Sequence, residues 1–275
     1  MIATARRFGL LLGIEMRRAL SRRAVWVLIA LALLLITLTG VVAFVTSNDF
    51  DAAAPGLDIA RMVDLWPARG ADGVLGATMI FLVVGALLGG STVTGAEWQH
   101  GTVVVVCTWE VRRGRLLIAR IVSAGLLAFI IGFGLLVVFC LSLTPTYLLR
   151  GSTDGADIAF WGEVLSAMGR MAAVGALGAT TGAAVASIGR RTAVAIGAAF
   201  AYLAIIEGAV RGFWPERAPW LIGENAAIVL TAANLDNAAF TRSVATAAVT
   251  LCGYVLALVA VAVLLFRGRD LAGAS

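Results

Sequence analysis

Six apolar runs separated by polar stretches set the pattern of this chain: residues 24–45, 74–95, 116–143, 168–188, 192–210 and 244–266. Each is close to or above the ~20 apolar residues that a helix needs to cross a bilayer, so the pattern predicts six spanning helices. Ahead of them, residues 5–23 place Phe8, Leu11, Leu12, Met16, Ala19 and Leu20 on one helical face. Arg6, Arg7, Arg17, Arg18 and Ser21 fall on the other. This predicts an amphipathic helix in the membrane interface, its arginines toward anionic phospholipid. Glu15 breaks the apolar arc. Its partner is either Arg18 at i+3 or a group on a neighbouring loop or subunit. The first run follows Arg22 and Arg23 but exceeds the ~7–15 residues of a signal-peptide core. Residues 211–243 hold only short apolar pieces, and Pro215 and Pro219 break any single long helix. One or two short re-entrant helices are expected there.

Composition narrows the class. Hydrophobic residues make up 61% of the 275 and charged residues 13%, with a mean hydropathy of +0.97. Ordinary soluble domains carry about 45–50% apolar and about 25% charged residues. The expected fold class is therefore an all-α integral membrane protein forming a single domain over residues 1–275. Arginines cluster before the first run, after the second, in the turn between the fourth and fifth (Arg190, Arg191) and at the C-terminal end (Arg267, Arg269). The positive-inside rule places these segments and both termini in the cytoplasm of a cell-membrane protein. All 21 basic residues are arginine. A phosphate-binding GxxxxGK[ST] loop needs its lysine, so hydrolysis of a nucleotide by that route is excluded for this chain. Three cysteines and one histidine are too few and too scattered for a metal site, and His100 reads as a polar loop residue.

The densest chemistry lies in residues 97–120, EWQHGTVVVVCTWEVRRGRLLIAR. Glu97 is followed by Gly101 and Thr102, then by the apolar Val103 to Val106. Glu110, Arg112, Arg113, Arg115 and Arg120 complete the segment. Elsewhere Gly85 and Gly89 stand at GxxxG spacing, a candidate packing seam. Glu207 is read as the one acid inside a span, paired with Arg211 at i+4 or serving as a polar gate; the other span interiors are read as uncharged.

Taken together, the entry helix, six spans, the segment between spans two and three, the minimal turn between four and five, and the stretch between five and six form a layout that resembles the membrane subunit of an ABC transporter of the type-2 exporter (ABCG-like) class. Glu97, Gly101 and Thr102 match the first part of that family's loop motif, Arg113 matches its arginine, and Arg120 stands where the family has lysine. The chain departs from it at Glu110, usually proline, and at Arg112, usually serine. The Ser187-Ile188-Gly189-Arg190 turn is also similar. The resemblance implies a dimer with itself or a paralogue and two separate ATPase chains that bind ATP and Mg, with no cofactor on this chain. It makes residues 97–120 a cytoplasmic coupling loop whose Arg112, Arg113 and Arg115 meet acidic groups on the ATPase or lipid phosphate. It also implies a substrate path lined by spans two and five, with Thr78, Gly85, Gly89, Ser91 and Thr92 on one and Ala195, Gly197, Ala201 and Glu207 on the other. That lining suits an amphipathic or lipid-like substrate such as a drug, peptide or lipid. A secondary carrier, a membrane enzyme and a non-transporting anchor or sensor are the rival readings. A carrier would want internal repeats and ionisable groups at mid-membrane.

Overall fold

The computed structural model describes residues 2–51, 58–66, 73–99, 113–232, 235–237 and 240–268. Its helices are α1 (Ile2–Leu20), α2 (Arg23–Thr46), α3 (Val74–Gln99), α4 (Arg113–Leu149), α5 (Ile158–Gly189), α6 (Thr192–Phe213), α7 (Ile222–Thr231) and α8 (Val244–Gly268). Six of these, α2 to α6 and α8, are long and apolar enough to cross a membrane. The chain is an all-α, multi-pass membrane protein.

The helices stand side by side, and side-chain contacts fix which ends lie together. At one end meet α1, the start of α2, the end of α3, the start of α4, the α5–α6 turn and the end of α8. Trp98 of α3 packs edge-on against Phe266 of α8 at 6.0 Å, and Arg190 of the turn lies over the Trp98 ring at 5.2 Å. At the other end, Arg150 Nη1 donates to the Phe44 carbonyl at 2.7 Å, tying α4 to α2. The α2–α3 and α4–α5 connections also pair there, Met62 N donating to Ser152 O at 2.9 Å and Ser152 N to Ala60 O at 3.1 Å. The arginine groups at 17–23, 113–120 and 190–191 therefore share an end, as an even number of crossings with matching charge placement requires.

Helix α5 is the axis of the bundle, with 56% of its apolar window buried against 11% for α2 and for α6. Small residues allow this, since they let backbones approach closely. A Cβ on Gly90 of α3 would run into the backbone of Ala179, and one on Gly182 into the carbonyl of Leu87. One on Gly178 would stand 3.2 Å from the Val83 oxygen. Across the same seam the Thr94 hydroxyl donates to the Ala183 carbonyl at 2.7 Å. This corrects the expected seam at Gly85 and Gly89. Gly85 faces open space, and Gly89 meets only Leu28 of α2, at 3.8 Å. The GxxxG spacing exists on α3, but the packed glycine is the neighbour at 90.

The structure differs from the sequence pattern elsewhere too. Residues 144–149 extend α4 through Pro145, where a loop is expected. Leu143 and Tyr147 are buried in one apolar cluster with Met62, Leu65, Phe160 and Val164, and that burial offsets the hydrogen bond that proline cannot make. Helix α5 begins ten residues before the fourth apolar run, because Asp157 caps it: its Oδ1 accepts from Phe160 N at 2.8 Å. Arg170 lies inside both the fourth apolar run and α5, its Nη1 donating to Ser166 Oγ at 2.6 Å, so the span interiors are not free of charge apart from Glu207. Between α6 and α8 the chain forms a 3-10 turn (Pro215–Trp220), the ten-residue α7 and a hairpin pairing Leu235–Asn237 with Phe240–Arg242. The sequence pattern does not anticipate that hairpin. Within α6, Ala201–Ile206 opens to the wider π spacing just before Glu207.

Candidate functional site

The bundle end rich in arginine holds a buried network of charge. Arg120 lies one turn and more into α4, with its side chain 4% exposed. Its Nε donates to Glu15 Oε2 of α1 at 3.1 Å, and its Nη1 pairs with Glu97 Oε2 of α3. Arg22, the residue before α2, brings Nη2 to Glu97 Oε1 at 2.8 Å and donates from Nη1 to the Thr92 carbonyl, also at 2.8 Å. Arg18 Nη1 reaches Glu15 Oε1 at 3.3 Å. Three guanidinium groups and two carboxylates thus link α1, α2, α3 and α4. Charges taken out of water persist only with partners, and the planar fork of arginine lets one side chain serve two carboxylates. Burial pushes the Arg22 guanidinium below its usual pKa, and the Glu97 carboxylate opposes that shift.

The network draws together four of the residues picked out by sequence: Glu15, Arg18, Glu97 and Arg120. Glu15 pairs with Arg18 on its own helix, as the i+3 spacing suggests, and also with Arg120 of α4, a partner on a neighbouring helix of the same chain. Part of the apolar face of α1 packs on the bundle: Leu11, Met16, Ala19 and Leu20 join the apolar cluster that contains Leu116 and Ile121 of α4. Arg17 is exposed. Arg113 and Arg115 open α4 and line a cleft with Arg267. Gly101, Thr102, Glu110 and Arg112, with Val103 to Val106 and His100, lie outside the described residues. Sequence reasoning missed Arg22, which looked like one more flanking charge. Its signal was position: it is adjacent to the start of a span, where a long side chain can reach back along neighbouring helices.

The residues read as a substrate path lie on α3 and α6. The Thr78 and Thr92 hydroxyls donate to the Leu75 and Gly89 carbonyls of their own helix, both at 2.7 Å. Among the described residues, nothing lies within 4 Å of where a Cβ on Gly197 or Gly85 would stand. Thr78, Gly85, Gly89 and Thr92 share one face of α3 at about 100° per residue.

Glu207 has both a pair and a second task. It is buried, and Arg211 Nη2 meets its Oε2 at 3.2 Å as i+4 spacing suggests. Its Oε1 accepts from Gly223 N at 2.6 Å. The carboxylate therefore sits at the N-terminus of α7, where the helix dipole favours negative charge. Arg211 also reaches Glu224 Oε2 at 3.1 Å. The neighbouring Asn225 is fully buried, donates to the Pro219 and Leu221 carbonyls, and accepts from Arg242 Nε at 3.0 Å. Hence α7 and the hairpin are held to α6 by polar groups, and Gly223 and Asn225 are site residues that the sequence did not reveal. A Cβ on Gly223 would strike the Glu207 carboxylate. Gly223→Ala is expected to lose the cap and about 1–2 kcal/mol, read as a lower unfolding temperature in detergent. Gly208→Ala, where a Cβ meets nothing, should leave that temperature unchanged.

No protein family and no curated protein sequence matches the chain.

Proposed function

We propose that this chain is the membrane subunit of an ATP-driven exporter of the type-2 ABC class, working as a dimer with separate ATPase subunits on the cytoplasmic face. The observation that carries the reading is the Glu97–Arg120 pair. These residues bound the segment that resembles the family's coupling loop, and they meet across its two ends. Force applied to residues 100–112 from outside the bilayer would act on a base that is already rigid. Through Glu15 and Arg22 it would be shared with α1 and α2, so a push on one segment would move four helices together. The helices couple to the ATPase if one of their arrangements fits its closed form better than the other.

In this reading the open faces of α3 and α6, with Gly85 and Gly197, line the path between two copies, and small residues there leave room for an amphipathic or lipid-like cargo. Glu207 serves as the fastening of α7 near the far end of that path. Arg112 and Val103 to Val106 would supply charge-assisted and apolar contacts to the ATPase.

The test is purification of the tagged chain from its own membrane, followed by transport in inverted vesicles. An ATPase should co-purify, and transport should stop on ATP depletion. Arg112→Glu should reduce ATPase co-purification about tenfold or more while the subunit still inserts. Transport that survives ATP depletion and collapses with the ion gradient would replace this reading with the carrier.

A further inference from the structure

Beside the charge network, on the outer surface of the same bundle end, lies an open cleft of about 670 Å³ between α1, α4 and α8. Its walls divide by chemistry. Arg113 and Arg115 from the first turn of α4 and Arg267 from the last turns of α8 supply three guanidinium groups, whereas Phe8, Ile118 and Val263 supply apolar surface. Gly114 completes the floor, and a Cβ there would come within 3.0 Å of the Arg267 side chain, so the glycine lets that arginine lie close against α4.

We propose that this cleft binds one anionic phospholipid, its phosphate held by Arg113, Arg115 and Arg267 and its acyl chains running along Ile118 and Val263. Two features select a lipid over a free anion. The cationic and apolar walls are contiguous, matching a phosphate joined to hydrocarbon. The apolar wall also continues into bilayer-facing surface: Ile118 is exposed, as are Leu264 and Leu265 on α8. Arginine suits the phosphate because its fork makes paired hydrogen bonds to oxygens. The start of α4 adds backbone N–H groups to the same place. Bound there, the lipid bridges α1, α4 and α8 and would add to the Glu15–Arg120 bond in holding the entry helix to the bundle. The proposal needs only that the chain spans a membrane. It stands apart from the exporter reading, and neither fails with the other.

The experiment reconstitutes the full chain in nanodiscs containing phosphatidylglycerol and phosphatidylcholine, extracts it with mild detergent, and counts retained lipid by native mass spectrometry. Wild type should keep one phosphatidylglycerol in preference to phosphatidylcholine. Arg113→Gln with Arg267→Gln should lower that retention about tenfold or more, since each arginine near an anionic surface contributes appreciably. Arg17→Gln with Arg191→Gln removes two exposed charges away from the cleft and should leave it unchanged. Val263→Trp keeps every charge, fills the apolar wall and should also lower retention; it decides the matter should the arginine variant fail to fold. Equal losses in the control pair would overturn the site in favour of general attraction to basic surface. Undiminished retention in Val263→Trp would overturn it too, as would displacement of the lipid by millimolar inorganic phosphate, which would mark an anion site with no need of acyl chains.

Discussion

Arg120→Met should remove most of the folded protein from detergent extracts. The substitution keeps the bulk of the side chain and deletes the charge, leaving Glu15 and Glu97 facing each other with their shared partner gone. Breaking a buried pair in this way costs about 3–5 kcal/mol, a large part of a total stability of about 5–15 kcal/mol. Arg120→Lys should be milder. Lysine restores charge, but its compact ammonium lacks the fork that reaches both carboxylates. The order expected on heating before size-exclusion chromatography is wild type above Lys above Met. Adding Glu97→Gln to Arg120→Met should recover none of the loss, because Glu97 still holds Arg22 and its neutralisation leaves that arginine without its carboxylate. Equal melting of wild type and Arg120→Met would show that the network contributes nothing to the fold.

Gly182→Leu should be at least as damaging, for a different reason. The new side chain would have to occupy the space of the Leu87 backbone on α3. Side chains can turn aside from an intruding methyl; a helix backbone on the axis of the bundle has to shift as a whole. Overpacking typically costs about 1–3 kcal/mol where side chains can adjust, so more is expected here, together with loss of the Thr94–Ala183 hydrogen bond. Gly85→Leu, at the glycine that the spacing motif singled out, should melt like wild type. A limited-proteolysis and thermal-shift comparison of the two variants separates the real seam from the apparent one.

Much of the architecture could be read from residue order because the bilayer imposes a length on each apolar run. The six runs predict six helices with errors confined to their ends. Those ends were decided by forces that hydropathy does not record: the Asp157 cap started α5 early, and burial of Leu143 and Tyr147 carried α4 through Pro145. The candidate site was half legible. Glu15 stood out as an acid in an apolar arc, and Glu97 and Arg120 stood out by resemblance, but their meeting is a property of helix packing. Gly90 was hidden because α3 is glycine-rich and spacing alone cannot say which glycine faces α5. Gly223 and Asn225 were hidden because their importance lies in what the α6 and hairpin side chains bring to them.

The widened turn at Ala201–Ile206 has one more consequence. A regular helix fixes the compass bearing of every later residue from any earlier one, about 100° per step. A π turn carries surplus chain without advancing the winding in proportion, so the half of α6 after it points in directions that the half before it does not dictate. The first half can keep its small residues toward one neighbour while the second half swings Glu207 inward to face α7. A single crossing thereby serves two masters, and the seam between them is a place where the bearing can be reset by the gain or loss of one residue.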